Sequence, residues 1–203
     1  MKKIALFISI VLHPILMPMY AMAIIFFSRN YLAMAVHPKV QLIIFIITAV
    51  TTIVFPLIST GILLLRGEIS SWHLPLRNER TWPFFYTIIY LLMCFYLVQK
   101  LPVPFIVCAV FVSAAIALSM ALIINFWFKI SIHMVGVGGV IGLMLVLCHT
   151  MYAQFTAAIV LATILAGLLG SARLYAGSHK QAHIYAGFLL GFLVIVYTLQ
   201  FIQ

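Results

Sequence analysis

Acidic residues are almost missing from this chain of 203 residues. It has no aspartate, and its two carboxylates, Glu68 and Glu79, stand against 11 lysines and arginines, which gives a formal net charge of +9. Charged residues make up 6% of the chain and hydrophobic residues 67%, whereas about a quarter of an average soluble domain is charged. This balance excludes a soluble globular domain. It predicts an all-α fold, a polytopic transmembrane helical bundle of six to seven spans that forms one integral-membrane domain over residues 1–203.

Cysteine is also scarce, and the basic residues are dispersed. Cys94, Cys108 and Cys148 each lie in an apolar stretch without metal-type spacing, so we interpret them as buried thiols. Because the lysines and arginines are scattered over short loops, nucleic acid is not an expected partner. Positive loops are typical of membrane proteins that contact anionic head groups. We therefore expect membrane lipids as partners, expect no cofactor, and leave the oligomeric state open.

Long hydrophobic runs divide the chain into seven candidate spans. They lie near 4–27, 40–65, 84–99, 104–127, 133–150, 153–170 and 183–202. Most approach the ~20 residues that a helix needs to cross the hydrocarbon. The run at 84–99 is short and is followed by Pro102 and Pro104, so the count falls to six if it forms a re-entrant hairpin with the next run. The first run resembles a secretory signal, but it continues to Phe27 and contains two prolines, so we expect a retained span. We expect the membrane to be the cell (inner) membrane of a bacterium.

Glycines recur in two of the late runs, at 136–142 and at Gly187 and Gly191. The first group resembles a nucleotide-binding fingerprint only at a glance, because its spacing fails and no strand precedes it. Close helix packing through small residues explains both groups.

The number of crossings relates three polar residues that are distant in sequence. Two spans separate Arg80 from His133, and two more separate His133 from Arg173. An even number of crossings returns the chain to the same side of the membrane, and this holds even if one pair of runs is re-entrant. The sequence therefore predicts a composite site at one end of the bundle.

The densest polar stretch is 170–187, where one arginine, one lysine and two histidines lie within eleven residues. Ionisable groups are costly near a bilayer, so such a cluster is a candidate functional site. Ser178 with a glutamine three residues later is a capping box, which predicts a helix beginning at Ser178. His179 would then lie in the first turn with His183 one turn later on the same face, and Arg173 would stay in the loop. A helix N-terminus with an arginine beside it is suited to an anion such as phosphate.

Three blocks of polar residues follow one another along the chain. They are Arg77 and Arg80, then Ser131 and His133, then Arg173, His179 and His183. Over about 66–187 their order and spacing resemble the motifs of the type 2 phosphatidic acid phosphatases, also called lipid phosphate phosphatases. In that family the third block is Ser-Arg, five residues, His, three residues, Asp; here Ala172 replaces the serine and His183 the aspartate. The first block is degenerate too, because His73 stands where a lysine is expected and Pro83 follows three residues after the arginine.

The resemblance implies hydrolysis of a phosphomonoester or diphosphate of a membrane lipid. His179 would attack phosphorus and form a phosphohistidine, and His133 would protonate the departing alkoxide and later activate water. His183, in place of the aspartate, can accept a hydrogen bond from His179 but brings no negative charge. The residues fit phosphatidate, phosphatidylglycerophosphate, polyprenyl diphosphate and lipid A equally.

The resemblance also implies a phosphate-binding set. Arg173, together with Arg77 or Arg80, would hold the non-bridging oxygens, and Ser131 would donate to the phosphate. No metal is required, because arginines and helix ends supply the positive field.

Three alternatives stay open. Because the family's aspartate is missing and Glu79 is the sole candidate substitute, the protein could bind a lipid phosphate with weak or no catalysis. His179 and His183 at i, i+4 could instead be zinc ligands, completed by His133 or His73, in an intramembrane lipid hydrolase. The third alternative is a non-catalytic membrane subunit.

Histidines outside the three blocks have a structural interpretation. His13 and His37 each precede a proline, which is typical of interfacial loops and helix starts. His149 ends a span and is interpreted as an interface histidine.

Overall fold

The structure, a computed structural model, describes residues 2–28, 31–72, 74, 76–151, 155–177 and 179–201. These residues form helices and connecting turns, and none of them lies in a strand. The α-helices are α1 (Lys2–Val11), α2 (Met17–Phe27), α3 (Tyr31–Ala35), α4 (Pro38–Ala49), α5 (Phe55–Leu65), α6 (Thr81–Val98), α7 (Phe105–Asn125), α8 (Ile132–Met151), α9 (Thr156–Tyr175) and α10 (Gln181–Phe201).

Seven helical segments among the described residues are long and apolar enough to cross a membrane. They are Lys3–Phe27, Pro38–Leu65, Asn78–Val98, Phe105–Asn125, Ile132–Thr150, Thr156–Tyr175 and Gln181–Phe201. The predicted all-α bundle with seven spans is confirmed. The run predicted at 84–99 starts earlier, at Asn78, and its 21 residues are long enough to cross. The chain is thus an integral membrane protein.

The first two spans are each interrupted near the middle. In the first, α1 ends at Val11 and a 3₁₀ turn at Pro14–Leu16 leads into α2. In the second, a π-helical turn at Val50–Val54 separates α4 from α5. Pro56, one turn later, has no N–H for the carbonyl of Thr52, which explains why the helix changes its hydrogen-bond pattern here. Both interruptions border the cavity described below.

Helices α8 and α10 pack most closely, because glycines remove the side chains between them. A Cβ added at Gly187 would lie 2.6 Å from the carbonyl oxygen of Ser131, and one added at Gly191 would overlap the carbonyl oxygen of Val135. The close packing predicted from the small residues is therefore present. Helix α7 packs against both α6 and α10 and is the most buried of the spans together with α8.

Candidate functional site

A cavity of about 900 Å³ lies among the spans, and its polar lining is concentrated in one group of side chains. This group consists of His13, Arg80, His133, Arg173 and His179. They come from five separate parts of the chain: the break in the first span and the ends of α6, α8, α9 and α10. The structure thus brings together Arg80, His133 and Arg173, as expected from the number of crossings between them.

Arg80 is buried at the start of α6, with 6% of its surface exposed. Its Nε donates to the carbonyl of Leu74 at 3.1 Å and its Nη1 to the carbonyl of Ile130 at 3.4 Å. A guanidinium has five N–H donors, so these two bonds leave donors for a ligand. In the described part of the chain the one ion pair is the exposed Arg66–Glu68 pair at 3.9 Å, so Arg80 forms no direct ion pair there, and the Glu79 carboxylate acts on its charge only from a greater distance. A buried cation without a direct ion pair is costly, and a bound anion would offset that cost.

Glu79, the candidate substitute for the family's aspartate, holds the loop that precedes α6. Its two carboxylate oxygens accept from the backbone N–H groups of Ser70 at 2.8 Å and Leu76 at 3.4 Å. These bonds explain why a carboxylate is present beside Arg80 without forming an ion pair with it. Among its described hydrogen bonds, none reaches His179.

Arg173 lies in the last turn of α9, so its predicted position in a loop is wrong. The helix continues to Tyr175 and ends at Gly177, which has a positive φ of 65° and donates its N–H to the carbonyl of Leu174 at 2.9 Å. A glycine just past the last turn is a common helix stop. The helical position points the guanidinium into the cavity, and its buried Nε has no hydrogen-bond partner among the described residues.

His179 lies two residues before α10 rather than in its first turn. It is 8% exposed, and its buried Nδ1 has no partner within the described residues. Burial lowers the pKa of His179 to about 3, because it disfavours the imidazolium, and the positive charges of Arg173, Arg80 and Lys129 lower it further. His179 is therefore a neutral imidazole at pH 7, the form that can act as a nucleophile.

The start of α10 differs from the predicted one. The predicted cap, Ser178, lies outside the described residues, and the helix begins at Gln181. Nδ1 of His183 accepts from the backbone N–H of Lys180 at 3.2 Å. In a capping box, the side chain three residues after the cap bonds to the backbone N–H of the cap in this way, so Lys180 takes the cap position predicted for Ser178. The His183 ring lies edge-on to that of His179, with centroids 5.8 Å apart. His183 does not line the cavity; besides the cap bond, its ring packs edge-on to that of Phe128, with centroids 4.8 Å apart.

His133 lies in the first turn of α8, and its closest ring partner is His13. The two imidazoles meet edge to face, with centroids 5.1 Å apart. His133 also interacts with the backbone carbonyl of Ser9 and electrostatically with Arg173 and His179. The two histidines thus connect the first span to the rest of the polar group.

His13 is a residue of this site that the sequence interpretation missed. It does start a helix, because its Nδ1 accepts from the N–H of Ile15 at 3.3 Å and caps the 3₁₀ turn. It also lines the cavity, where its ring contacts that of His133. A histidine in the middle of an apolar span was itself a signal, since intramembrane ionisable residues are functional candidates by default.

The two remaining predicted phosphate ligands lie off the cavity lining. Arg77 is exposed, and its backbone carbonyl accepts from Nδ2 of Asn125 at 3.1 Å and from the N–H of Arg80 at 3.2 Å. Ser131 is fully buried immediately before α8, and its Oγ has no hydrogen-bond partner in the part of the chain that is described. Of the two arginines proposed for the first block, Arg80 is the one that reaches the cavity.

Away from the polar group, the cavity is lined mostly by apolar side chains, with the hydroxyl groups of Ser9, Thr52, Thr60 and Thr87 among them. The apolar side chains include Phe84, Leu91, Phe111, Ala114, Leu118 and Leu143. Along α6 the lining runs from Arg80 to Leu91, which corresponds to about 16 Å at 1.5 Å per helical residue. This is about half the thickness of a hydrocarbon core of about 30 Å. The cavity is therefore amphipathic, cationic at one end and apolar over most of its length.

The residues proposed as zinc ligands do not form a cluster in the described structure. No group of three histidine, cysteine or carboxylate side chains suited to a metal ion occurs among the described residues. His73, a proposed third ligand, lies outside them. Nδ1 of His183 is already engaged by the N–H of Lys180.

The fold and the cavity define the class of protein as an integral membrane protein with a cationic, histidine-containing pocket among its spans. Comparisons of this chain with models of protein families, with characterised proteins and with solved structures find no match.

Proposed function

We propose that this protein is a lipid phosphate phosphatase that hydrolyses a phosphomonoester or diphosphate of a membrane lipid through a phosphohistidine. The observation that carries the proposal is the convergence of Arg80 and Arg173, neither ion-paired within the described residues, on a cavity that also contains the neutral His179. Two guanidiniums that share a pocket repel each other, and a phosphate between them relieves that repulsion. The finer location, the cell membrane of a bacterium, is part of this proposal.

The arginines would bind the non-bridging oxygens of the phosphate. Arg80 retains donors beyond its bonds to Leu74 and Ile130, and Nε of Arg173 is unpartnered among the described atoms. In a site screened from water, such fixed donors stabilise charge that accumulates on the oxygens in the transition state. Lys129, whose pKa is lowered by burial and by the charges of Arg80 and Arg173, adds to the positive field from the adjoining loop.

Two histidines would carry the chemistry. His133 takes up a proton when the anionic phosphate binds. A ring nitrogen of neutral His179 then attacks phosphorus, the bond from phosphorus to the lipid oxygen breaks, and His133 gives this proton to the departing alkoxide. His133 then takes a proton from a water molecule, whose oxygen attacks the phosphohistidine. The bond between phosphorus and His179 breaks, and inorganic phosphate leaves. His133 is protonated again at the end, so the cycle is balanced.

The apolar part of the cavity would take the hydrocarbon chain of the substrate. Phe84 and Leu91 on α6 and Phe111 and Leu118 on α7 are apolar, and the hydroxyl of Thr87 between the first two donates to the carbonyl of Pro83 at 2.7 Å, so this lining offers little to a polar substrate. A soluble phosphate ester would leave this surface unused, whereas a lipid fills it and gains free energy from burial. The substrate class is therefore a lipid phosphate.

A second candidate function is binding of a lipid phosphate without turnover. It is favoured by the contacts of the two groups that could replace the family's aspartate. Glu79 bonds to the backbone of Ser70 and Leu76, and His183 bonds to that of Lys180, so neither is hydrogen-bonded to His179 in the described structure. Without a partner that stabilises its positive charge, His179 would form the phosphohistidine more slowly.

The test is phosphate release by purified protein from a panel of phosphatidate, phosphatidylglycerophosphate, polyprenyl diphosphate and lipid A. Wild type is compared with His179→Ala and with His37→Ala, a control because His37 is exposed and lies outside the cavity. We expect release by wild type and the control, loss with His179→Ala, and an acid-labile phosphoryl group trapped on wild type alone. Equal release by wild type and His179→Ala would reject His179 as the nucleophile.

Two further measurements separate the candidates. Vanadate should inhibit a phosphohistidine enzyme, and chelators should leave its activity intact; the reverse, with stoichiometric zinc in protein purified without added metal, would establish the metallohydrolase instead. If wild type releases no phosphate but sediments with phosphatidate vesicles and not with phosphatidylcholine vesicles, the binding function is correct. If it does neither, both functions are rejected.

A further inference from the structure

We infer that His13 is a positioning residue: its ring holds the imidazole of His133 in one orientation within the polar end of the cavity, while the carbonyl of Ser9, from the same span, selects one tautomer. The role rests on the proposed function, in which His133 transfers protons. The observation is the edge-to-face contact of the two rings, with centroids 5.1 Å apart and planes at 83°, inside the one cavity that both line.

The first span holds His133 from two directions. The backbone carbonyl of Ser9 interacts with the His133 ring, and the His13 ring packs against it one turn further along. Nδ1 of His13 accepts from the N–H of Ile15, so in the neutral ring the proton is on Nε2. His13 is thus fixed in its own tautomer by its capping bond, and this makes it a defined partner for His133.

The 3₁₀ turn that interrupts the first span packs closely against the face of α8 that carries His133. Gly136 lies one turn after His133, and a Cβ added there would lie 2.7 Å from Cγ of Met17 and 3.6 Å from Cα of Pro14. The glycine lets the 3₁₀ turn approach α8 closely, and His13 immediately precedes this turn. The two histidines can contact each other because Gly136 has no side chain to keep the 3₁₀ turn away from α8.

Because the chain has few carboxylates, His133 needs another residue to position its ring. A histidine that transfers protons needs its tautomer and orientation fixed, and a carboxylate usually does this. The chain has no aspartate, and the carboxylate of Glu79 bonds to loop backbone. The charged and titratable groups that face His133 are Arg173 from α9, His179 before α10 and His13 from the first span, and among them His13 is the one whose ring packs against that of His133.

The chain contains a matched control in the His37–Pro38 pair. His37 caps α4 as His13 caps the 3₁₀ turn: its Nδ1 accepts from the N–H of Lys39 at 3.2 Å, and a proline follows it. Unlike His13 it is exposed and outside the cavity. The variants His13→Asn and His37→Asn both retain a side-chain acceptor for the cap, so they differ in whether an imidazole beside His133 is lost.

The experiment measures kcat and KM of the full-length protein on the best lipid phosphate of the panel. General acid–base catalysis contributes roughly 10²–10⁴-fold, so misplacing His133 should lower kcat by about 10-fold or more in His13→Asn. KM should stay close to that of wild type, because the phosphate is held by the arginines. His37→Asn should keep both constants. Wild-type kcat in His13→Asn, or an equal loss in the two variants, would overturn the inference.

A spectroscopic measurement on the wild-type protein tests the same point without relying on activity or on the folding of a variant. With ¹⁵N-labelled histidine, the ring nitrogens of His133 should report a single tautomer, and cross-relaxation should connect its ring protons to those of His13. A His133 imidazole that exchanges between tautomers, or lacks contact with His13, would overturn the inference. Absence of turnover with a single His133 tautomer would instead reject the proposed function and leave the positioning contact supported.

Discussion

The backbone N–H of Ser131 donates to the carbonyl oxygen of His183 at 3.1 Å. This bond joins the residue before α8 to the first turn of α10, and the missing side chain of Gly187 lets the two backbones meet beside it. It sets the two helix starts at the same depth in the bundle. His133, just after the start of α8, and His179, just before the start of α10, consequently border the same cavity.

The first prediction separates the two arginines of the first block. Arg80 lines the cavity and Arg77 is exposed, so Arg80→Lys should lower kcat/KM for lipid phosphate by about 10²–10³-fold, the usual cost of removing one donor that stabilises a transition state. Lysine keeps the charge but loses the planar fork of donors. Arg77→Lys should stay near wild type. Similar losses in both variants would show that the geometric distinction between the two arginines has no catalytic meaning.

The second prediction concerns the protonation of His179. Because burial and three nearby cations lower its pKa to about 3, its imidazole should remain neutral in NMR titrations from pH 8 to about pH 4. Vanadate bound between the arginines adds negative charge, so it should raise this pKa. A ring that titrates near its usual pKa of 6.5 in the free protein would contradict the buried, cationic environment.

The third prediction follows from the same pKa by linkage. The unfolded chain takes up a proton on His179 near pH 6.5, but the folded protein does so only near pH 3. The free energy of unfolding should therefore fall as the pH decreases from about 6.5 towards 3. The melting temperature of wild type in detergent should drop between pH 7 and pH 5 by more than that of His179→Asn. Parallel curves for the two proteins would exclude this contribution.

The fourth prediction tests the glycine contact between α8 and α10. A methyl group at position 191 would overlap the carbonyl oxygen of Val135, so Gly191→Ala should lower the free energy of unfolding by about 1–3 kcal/mol. Gly167→Ala on α9 is the control, because no atom lies within 4 Å of its added Cβ; it should gain about 0.5–1 kcal/mol. Thermal unfolding in detergent measures both. A stabilised Gly191→Ala would mean that the two helices are not in close contact.

The fifth prediction tests whether the apolar part of the cavity binds a hydrocarbon chain. Ala114 lines the cavity on α7, so Ala114→Phe should reduce kcat/KM for long-chain lipid phosphates more than for short-chain ones. Ala157→Phe adds the same volume on the exposed surface of α9 and should change neither. The ratio of kcat/KM for the long-chain and short-chain substrates is the measured quantity. Equal losses on both substrates would place the hydrocarbon chain outside the cavity.

Hydropathy was sufficient to predict the seven spans, because a membrane helix is defined by a local property, the length of its apolar run. The meeting of Arg80, His133 and Arg173 followed from connectivity, because an even number of crossings fixes the side of the membrane. The number of crossings could not predict how far apart the residues lie on that side of the membrane. Only the structure separates Arg80, which lines the cavity, from Arg77, which lies three residues earlier and is exposed.

Errors arose where helix ends decide which way a side chain points. Arg173 was expected in a loop, although Gly177 marks the end of α9 and an apolar, helix-forming sequence precedes it. His13 was judged by its neighbour Pro14 alone. Its contact with His133 depends on Gly136, which no local pattern relates to the first span.

The glycine contacts between α8 and α10 also determine which helices around the pocket can move. Because backbone lies directly against backbone at Gly187 and Gly191, α8 and α10 cannot move apart or rotate against each other without losing this contact. The first and second spans also line the pocket, and their regular helical hydrogen bonding is interrupted at the 3₁₀ and π turns. We therefore expect any widening of the pocket to occur in the interrupted spans, while α8 and α10 keep their spacing.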